Sequence, residues 1–337
     1  MASDRKGVAR GGLLVRAARS REIVLGVFVL LLILATGLRS PSFLTFESFK
    51  LVLLDAAMLA VIALAQGMII ITRGIDLSVA SMLGLTAMMV AFVIRAYPET
   101  PIILTVLLGI ALGGVLGSLN GVIITAGGVP PIIATLGTLS AYRGLVFLYS
   151  NGSWINAYQL PVDFKQLAKG EWLGLPNLVV FAVVIAIMVY IFLNHTHAGR
   201  DIYALGSNPE AAKIAGIRTG QITFMVYVIC GLVCGFAGVM WASRYEAAQT
   251  NTALGFELQT VAAAVIGGVS MLGGSGTVPG VLLGALLLAV IQNGLTVSGI
   301  SPFWQLAVQG FLILLAVISD STFQQRARRL SMRRVAR

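Results

Sequence analysis

Ten runs of apolar residues, separated by short polar breaks, fall near 23–38, 51–72, 77–94, 102–126, 130–149, 177–193, 222–243, 259–275, 278–298 and 303–319. Most approach the ~20 residues that carry a helix across the hydrocarbon of a bilayer. Inside that hydrocarbon every backbone N–H and C=O must find its partner within the segment, which makes the α-helix the local solution for each run. Only 11% of the 337 residues are charged and 58% are hydrophobic. Soluble domains carry ~25% charged residues, and the mean hydropathy of +0.93 points the same way. The expectation is an all-α membrane protein, a polytopic bundle of about ten transmembrane helices. The eighth run ends in "GGVSMLGGSG" (267–276), which suits either a continuous span or a re-entrant or broken helix.

An even number of spans puts both chain ends on one side of the membrane. Of the 23 Lys and Arg, six lie within residues 1–22 and six within the last twelve, so both ends are expected in the cytoplasm. The net charge of +10 is then a pair of membrane-flanking tails and not a nucleic-acid surface. The chain divides into a basic tail (1–22), one transmembrane domain (23–319) and a second basic tail (320–337). Threading from the inside places the loop 150–176 outside and the loop 194–221 inside. The basic stretch before "IVLGVFVLLLILATGL" resembles a signal peptide, but no small-x-small cleavage site follows, so this run reads as a retained first helix.

Gly109, Gly113, Gly117 and Gly121 recur every fourth position, a stripe along which a second helix backbone can approach closely. Gly231 with Gly235, and Gly280 with Gly284, repeat the device. A faint echo links Gly67, Gly74, Leu83 and Gly84 to Gly267, Gly274, Leu283 and Gly284, each 200 residues later. Cys230 and Cys234 share a helix face and read as small buried apolar residues. Charges within the spans are few. Asp55 is expected at the interface, Arg73 and Asp76 are placed to pair at a helix-to-helix turn, and Arg143 is placed to snorkel near the outer end of its span.

Motifs for catalysis or nucleotide binding are missing. None of the five lysines follows a glycine, which excludes the P-loop route to a phosphate. His195 and His197 have no cysteine or carboxylate constellation near them in sequence, so no metal site and no bound cofactor is expected. The chain is read as no enzyme, with any ATP and Mg used by a separate subunit. Asp76, Asn120, Thr135, Thr138, Gln292 and Asn293 are the polar groups available to line a pathway for an uncharged, hydroxyl-rich solute. They serve interhelical hydrogen bonding equally well.

The inner loop holds "GSNPEAAKIAGIRTG" (206–220), with Asn208 as N-cap, Pro209 at the first helical position and barely two turns before Gly216. A short capped helix outside the membrane suits contact with a cytoplasmic partner. Glu210, Ala211 and Ala212 followed by Gly216 resemble the EAA-type loop of ABC importer permeases. With "RGIDLSVASMLGL" (73–85), "NGVIITAGGVPPIIATLGTLSAYRGL" (120–145), "GRDIYALGSNPEAAKIAGI" (199–217) and "AAAVIGGVSMLGGSGTVPGVLLGALLLAVIQNGL" (262–295), the chain resembles bacterial monosaccharide permeases of the ribose, xylose, rhamnose and autoinducer-2 type. These belong to the branched-chain amino acid and sugar permease superfamily.

The resemblance implies a type II ABC importer-like permease fold in the bacterial inner membrane. It also implies a second permease copy, identical or paralogous, with ABC ATPase subunits beneath and a periplasmic sugar-binding protein above. It assigns Arg200, Asn208, Pro209, Glu210, Ala211, Ala212 and Gly216 to contact with the ATPase. For the binding protein, "GSWINAY" (152–158) and "RYEAAQTN" (244–251) are the polar outer segments, with Trp154, Arg244 and Glu246 as docking residues. The competing reading is an ion-coupled secondary transporter of a small polar solute, which needs a titratable group within the membrane.

Overall fold

The structure is a computed structural model, and it describes residues 21–172, 174–301, 303–308, 310, 311, 314 and 318. Both basic tails therefore lie outside the described residues, apart from Arg21 and Glu22, and so does part of the tenth apolar run. The described part of that run, including 303–308, is helical.

Helix α1 (Arg21–Arg39) leads through a short 3-10 turn, Pro41–Leu44, into α2 (Phe46–Ile71). The hydroxyl of Thr45 accepts the Ser48 N–H at 3.3 Å, so α2 starts five residues before the apolar run does. An unwound stretch, 72–78, separates α2 from α3 (Val79–Ala96). Next come α4 (Ile102–Thr125), capped by Pro101, and α5 (Pro131–Ser150), which begins at a proline, where a missing N–H costs nothing. A polar excursion follows, with α6 (Val162–Lys169) and a two-residue-per-strand hairpin, β1 (Glu171–Trp172) on β2 (Leu175–Pro176). Helix α7 (Asn177–His195) returns to the other end of the bundle, where α8 (His197–Ser207) and α9 (Pro209–Ile214) lie. Then come α10 (Thr219–Tyr245), α11 (Phe256–Ile266) and α12 (Val278–Val297).

Among the described residues eight helices are long and apolar enough to cross a membrane, α11 being a shorter ninth apolar helix. The eighth run is thus a broken one. Its helix ends at Ile266, and Gly268, Gly273 and Gly274, with φ of 103°, 83° and 74°, carry the backbone through turns that side-chain-bearing residues rarely adopt.

Helix α2 is the hub and packs against α7, α10, α11 and α12. From Ala57 to Ile71 every one of its residues is buried, including Gln66. The glycine stripe of α4 lies against α10, glycine upon glycine. A Cβ at Gly113 would sit 2.2 Å from the Gly231 carbonyl oxygen, and one at Gly235 2.2 Å from that of Gly109. The backbones have closed to a distance that no side chain tolerates, which is how helices gain packing in lipid without a hydrophobic effect between them. Gly280 and Gly284 meet the carbonyls of Gly267 and Ala263 in the same way and hold α12 on α11. Cys230 and Cys234 are free thiols buried in α10.

Candidate functional site

At the end of the bundle that carries residues 196–218, α9 stands as a six-residue helix. The Asn208 side chain accepts the Ala211 N–H at 3.1 Å, Pro209 fills the first position, and Gly216 turns the chain away with φ 83°. Glu210 sits in the first turn, where a carboxylate meets the positive end of the helix dipole. Glu210, Ala211 and Lys213 are exposed, and Ala212 is the inward anchor. Sequence reasoning passed over Ile214, which is 88% exposed in the last turn. Its signal was an aliphatic residue in an otherwise polar loop. Arg200 is one helix earlier, exposed on α8, with Nη2 2.8 Å from His197 Nδ1.

The segment leading into α9 is fastened to the core through its backbone. Arg73 donates from Nε to the Gly206 carbonyl at 2.6 Å and from Nη2 to the Ser207 carbonyl at 2.8 Å. The Gly274 N–H donates to the Ile71 carbonyl at 2.9 Å. A Cβ at Gly206 would lie 1.8 Å from that Ile71 oxygen. The end of α2, the start of the α9 loop and the glycine-rich break after α11 therefore meet backbone to backbone. The expected pairing of Arg73 with Asp76 does not form. Arg73, at φ 67°, turns outward to these carbonyls, and Asp76 turns into the bundle.

Asp76 lies wholly buried in the unwound stretch 72–78, and its oxygens are taken up locally. Oδ1 accepts the Ser78 N–H at 2.7 Å and the Ser78 hydroxyl at 2.6 Å, and Oδ2 accepts from Asn120 Nδ2 at 3.3 Å. Asn120 also donates to Ser78 Oγ at 2.8 Å, and the Tyr142 hydroxyl lies 3.1 Å from Asn120 Oδ1. The Gln66 amide, in the orientation that satisfies it, spans the backbone N–H and carbonyl of Asp76. Thr135 reaches the Ile75 carbonyl at 3.2 Å, and the Thr138 hydroxyl turns back to its own helix at Thr135. Asp76, Asn120 and Thr138 thus belong to one buried polar knot that fixes the break between α2 and α3.

Gln292 and Asn293 lie elsewhere, in the half of the bundle nearer α6. Asp55 is nine residues into α2, about 14 Å from its start. It stands four residues into the apolar run, and its side chain is 28% exposed. Its carboxylate pairs with Arg244 of α10 and accepts from Asn293 Nδ2 of α12 at 2.7 Å. Arg244 is only 8% exposed, so a guanidinium expected on the outer docking surface is instead an interior group closed off from a soluble partner. Around the pair is a cavity of about 220 Å³, walled by Trp241, Tyr245 and Phe256 and bordered by Asn251, Gln259 and Gln292. The Trp241 ring is 4.7 Å from Tyr245 and 5.2 Å from Phe256.

Arg143 does not snorkel. Its Nη1 donates to the carbonyls of Thr250 and Thr252 at 3.2 and 2.8 Å, tying α5 to the loop after α10. That loop and the segment 152–158 are joined by reciprocal hydrogen bonds between Ile155 and Ala248. Trp154 is half exposed beside them, with Nε1 3.4 Å from Thr250 Oγ1. Glu246 pairs with Lys169 at 2.6 Å, and this contact holds its carboxyl below the ordinary glutamate range. Among the described residues no three His, Cys, Asp or Glu side chains gather to hold a metal ion.

Apolar helices outside, a charged pair with a hollow within, and a capped helix standing clear of one end define a polytopic membrane permease. The chain belongs to the family described as the permease component of branched-chain amino acid transport systems, whose model matches residues 48–317. It is 36% identical over 300 residues to the ribose import permease protein RbsC of Escherichia coli (strain K12), covering 88% of this chain and 93% of the relative. It is 37% identical over 296 residues to RbsC of Bacillus subtilis (strain 168), covering 88% and 91%. With the galactose/methyl galactoside import permease protein MglC of Haemophilus influenzae it shares 36% over 312 residues, covering 87% and 92%. No solved structure matches the chain.

Proposed function

We propose that this chain is the membrane-spanning subunit of an ATP-driven importer for a neutral monosaccharide or sugar-like signal. It works in the bacterial inner membrane with both basic tails in the cytoplasm and residues 150–176 facing outward. Its partners are ABC ATPase subunits that use ATP and Mg, a second permease copy and a periplasmic sugar-binding protein. The ribose and galactose permeases among its relatives support a sugar as cargo.

The observation that carries the reading is α9, a capped helix with exposed Glu210 and Ile214, whose entry segment is pinned to the core by Arg73. A groove on the ATPase that grips Ile214 would move α9 as a body, with Asn208, Pro209 and Gly216 keeping its ends formed. Ser207 immediately precedes the cap, so that movement pulls on Arg73 and on the Ile71–Gly274 contact. Both unwound stretches, 72–78 and 267–277, then receive it together, and rigid helices beyond them tilt. Trp154 and Glu246, on the joined outer segments, form the face for the binding protein.

Purification of the tagged permease from its native membrane tests this directly. A stoichiometric ATPase is expected to accompany it, and Ile214→Glu is expected to release that ATPase while permease abundance stays constant. Sugar uptake by the permease in the absence of any ATPase, driven by an ion gradient, would replace the proposal with secondary transport.

A further inference from the structure

The Asp55–Arg244 cavity carries more than an ion pair needs. Arg244 is 92% buried, yet its Nη1 has no hydrogen-bond partner, and Arg244 is one of the walls of the hollow. Leaving a charged donor unmatched in a membrane interior is costly, and bundles normally arrange to avoid it. The side-chain amides of Asn251, Gln259 and Gln292 border the same space and make no hydrogen bond to any other described residue. Each amide presents both a donor and an acceptor, which is what a hydroxyl demands of its neighbour. Trp241, Tyr245 and Phe256 line the same hollow, aromatic surface against which the C–H face of a sugar ring can pack.

We infer that this hollow is a solute-binding site within the permease, a station for one neutral polyhydroxylated ring on its way through. The inference rests on the importer reading above and names where its cargo is held. Charge supports neutrality: Asp55 balances Arg244, so an anionic or cationic solute finds no net counter-charge there. Size agrees, since about 220 Å³ is below the ~300–1,000 Å³ of drug-sized sites and admits one small molecule. Access agrees as well, because Asn251 and Gln292 are exposed and Gln259 is half buried, so the hollow opens at the surface of the protomer. Gln259 and Gln292 set orientation through hydrogen bonds, while the Arg244 guanidinium, packed over the Tyr245 ring, holds the wall in place.

The test uses the full permease with its ATPase and binding protein in proteoliposomes, with labelled ribose and galactose as probes and the binding protein saturated. Gln259→Leu and Gln292→Leu are near-isosteric changes at partly or fully exposed positions, so insertion is preserved. Each is expected to lower uptake about tenfold through loss of a hydrogen bond to solute. Gln292→Asn keeps the amide one methylene shorter, and is expected to shift the ribose-to-galactose uptake ratio by about threefold or more, which a purely structural residue would not do. If both Leu variants transport both sugars within about twofold of wild type, and Gln292→Asn leaves the ratio unmoved, the site falls while the importer reading stands. If the wild-type complex transports no neutral monosaccharide at all, reading and site fall together.

Discussion

The bundle holds two polar clusters of similar ingredients, each with an aspartate and an asparagine from different segments of the chain, and they are built in opposite ways. Around Asp76, Ser78 and Asn120 both carboxylate oxygens are buried and accept hydrogen bonds, two from Ser78 and one from Asn120. Around Asp55, Arg244 and Asn293 the groups come from three distant helices, border a hollow, and leave one guanidinium nitrogen unmatched. A saturated cluster has nothing left to offer a passing molecule, so its work is to hold the unwound stretch 72–78 in shape. An unsaturated one retains capacity for a ligand. What separates the two clusters is the hollow beside the second and the unpaired amides that border it, more than the presence of charge.

Substitution of the first cluster gives the largest effect. Asp76→Ala orphans the buried Ser78 N–H and hydroxyl, at a cost of roughly 2–4 kcal/mol. The variant is expected to accumulate poorly and to unfold at clearly lower temperature in detergent, as fluorescence-detected thermal melts would report. Asp55→Asn is milder. Its side chain is 28% exposed and the Asn keeps one acceptor for Arg244 or Asn293, but the buried guanidinium loses its counter-charge, so a loss of about 2 kcal/mol is expected, with reduced accumulation in the membrane fraction. An Asp55 variant that melts lower than the Asp76 variant would invert the comparison.

The spans were legible because apolar length alone decides them, and the α9 helix because its cap, proline and terminal glycine are local signals. The clusters were legible only in part. Asp76 and Asn120 stood out as polar residues in apolar runs, but nothing in the chain tells that Asp55 faces Arg244 across 189 positions. That contact depends on the register and rotation of α2 against α10, which no local signal in either helix reports. Arg73 was misread for a related reason. Its partners are the main-chain carbonyls of Gly206 and Ser207, groups that every residue possesses and no side chain announces. The eighth run was ambiguous because glycine-rich sequence is compatible with close helix packing and with positive-φ turns alike.

The outermost pair sharpens the contrast at its small end. The Glu246–Lys169 contact lowers the glutamate pKa, so its contribution is complete at neutral pH and is lost as the pH falls through that depressed value. Both side chains are partly exposed, and the contact is worth less than about 1 kcal/mol. Lys169→Ala is expected to leave the melting temperature at pH 7 within about 2 °C of wild type and to remove what little acid dependence this pair confers.

The central claim is that α9 transmits motion from an ATPase, and it is tested most directly by measuring uptake and substrate-stimulated ATP hydrolysis in the same reconstituted vesicles for wild type, Glu210→Lys and Gly216→Leu. Glu210 is exposed, so its change should cost folding about 0.5 kcal/mol or less, while Leu at Gly216, where φ is 83°, should cost about 1–2 kcal/mol. The account predicts that each variant inserts normally, loses most of its uptake, and no longer passes the presence of loaded binding protein to the ATPase. Wild-type uptake with wild-type stimulation in both variants would contradict it.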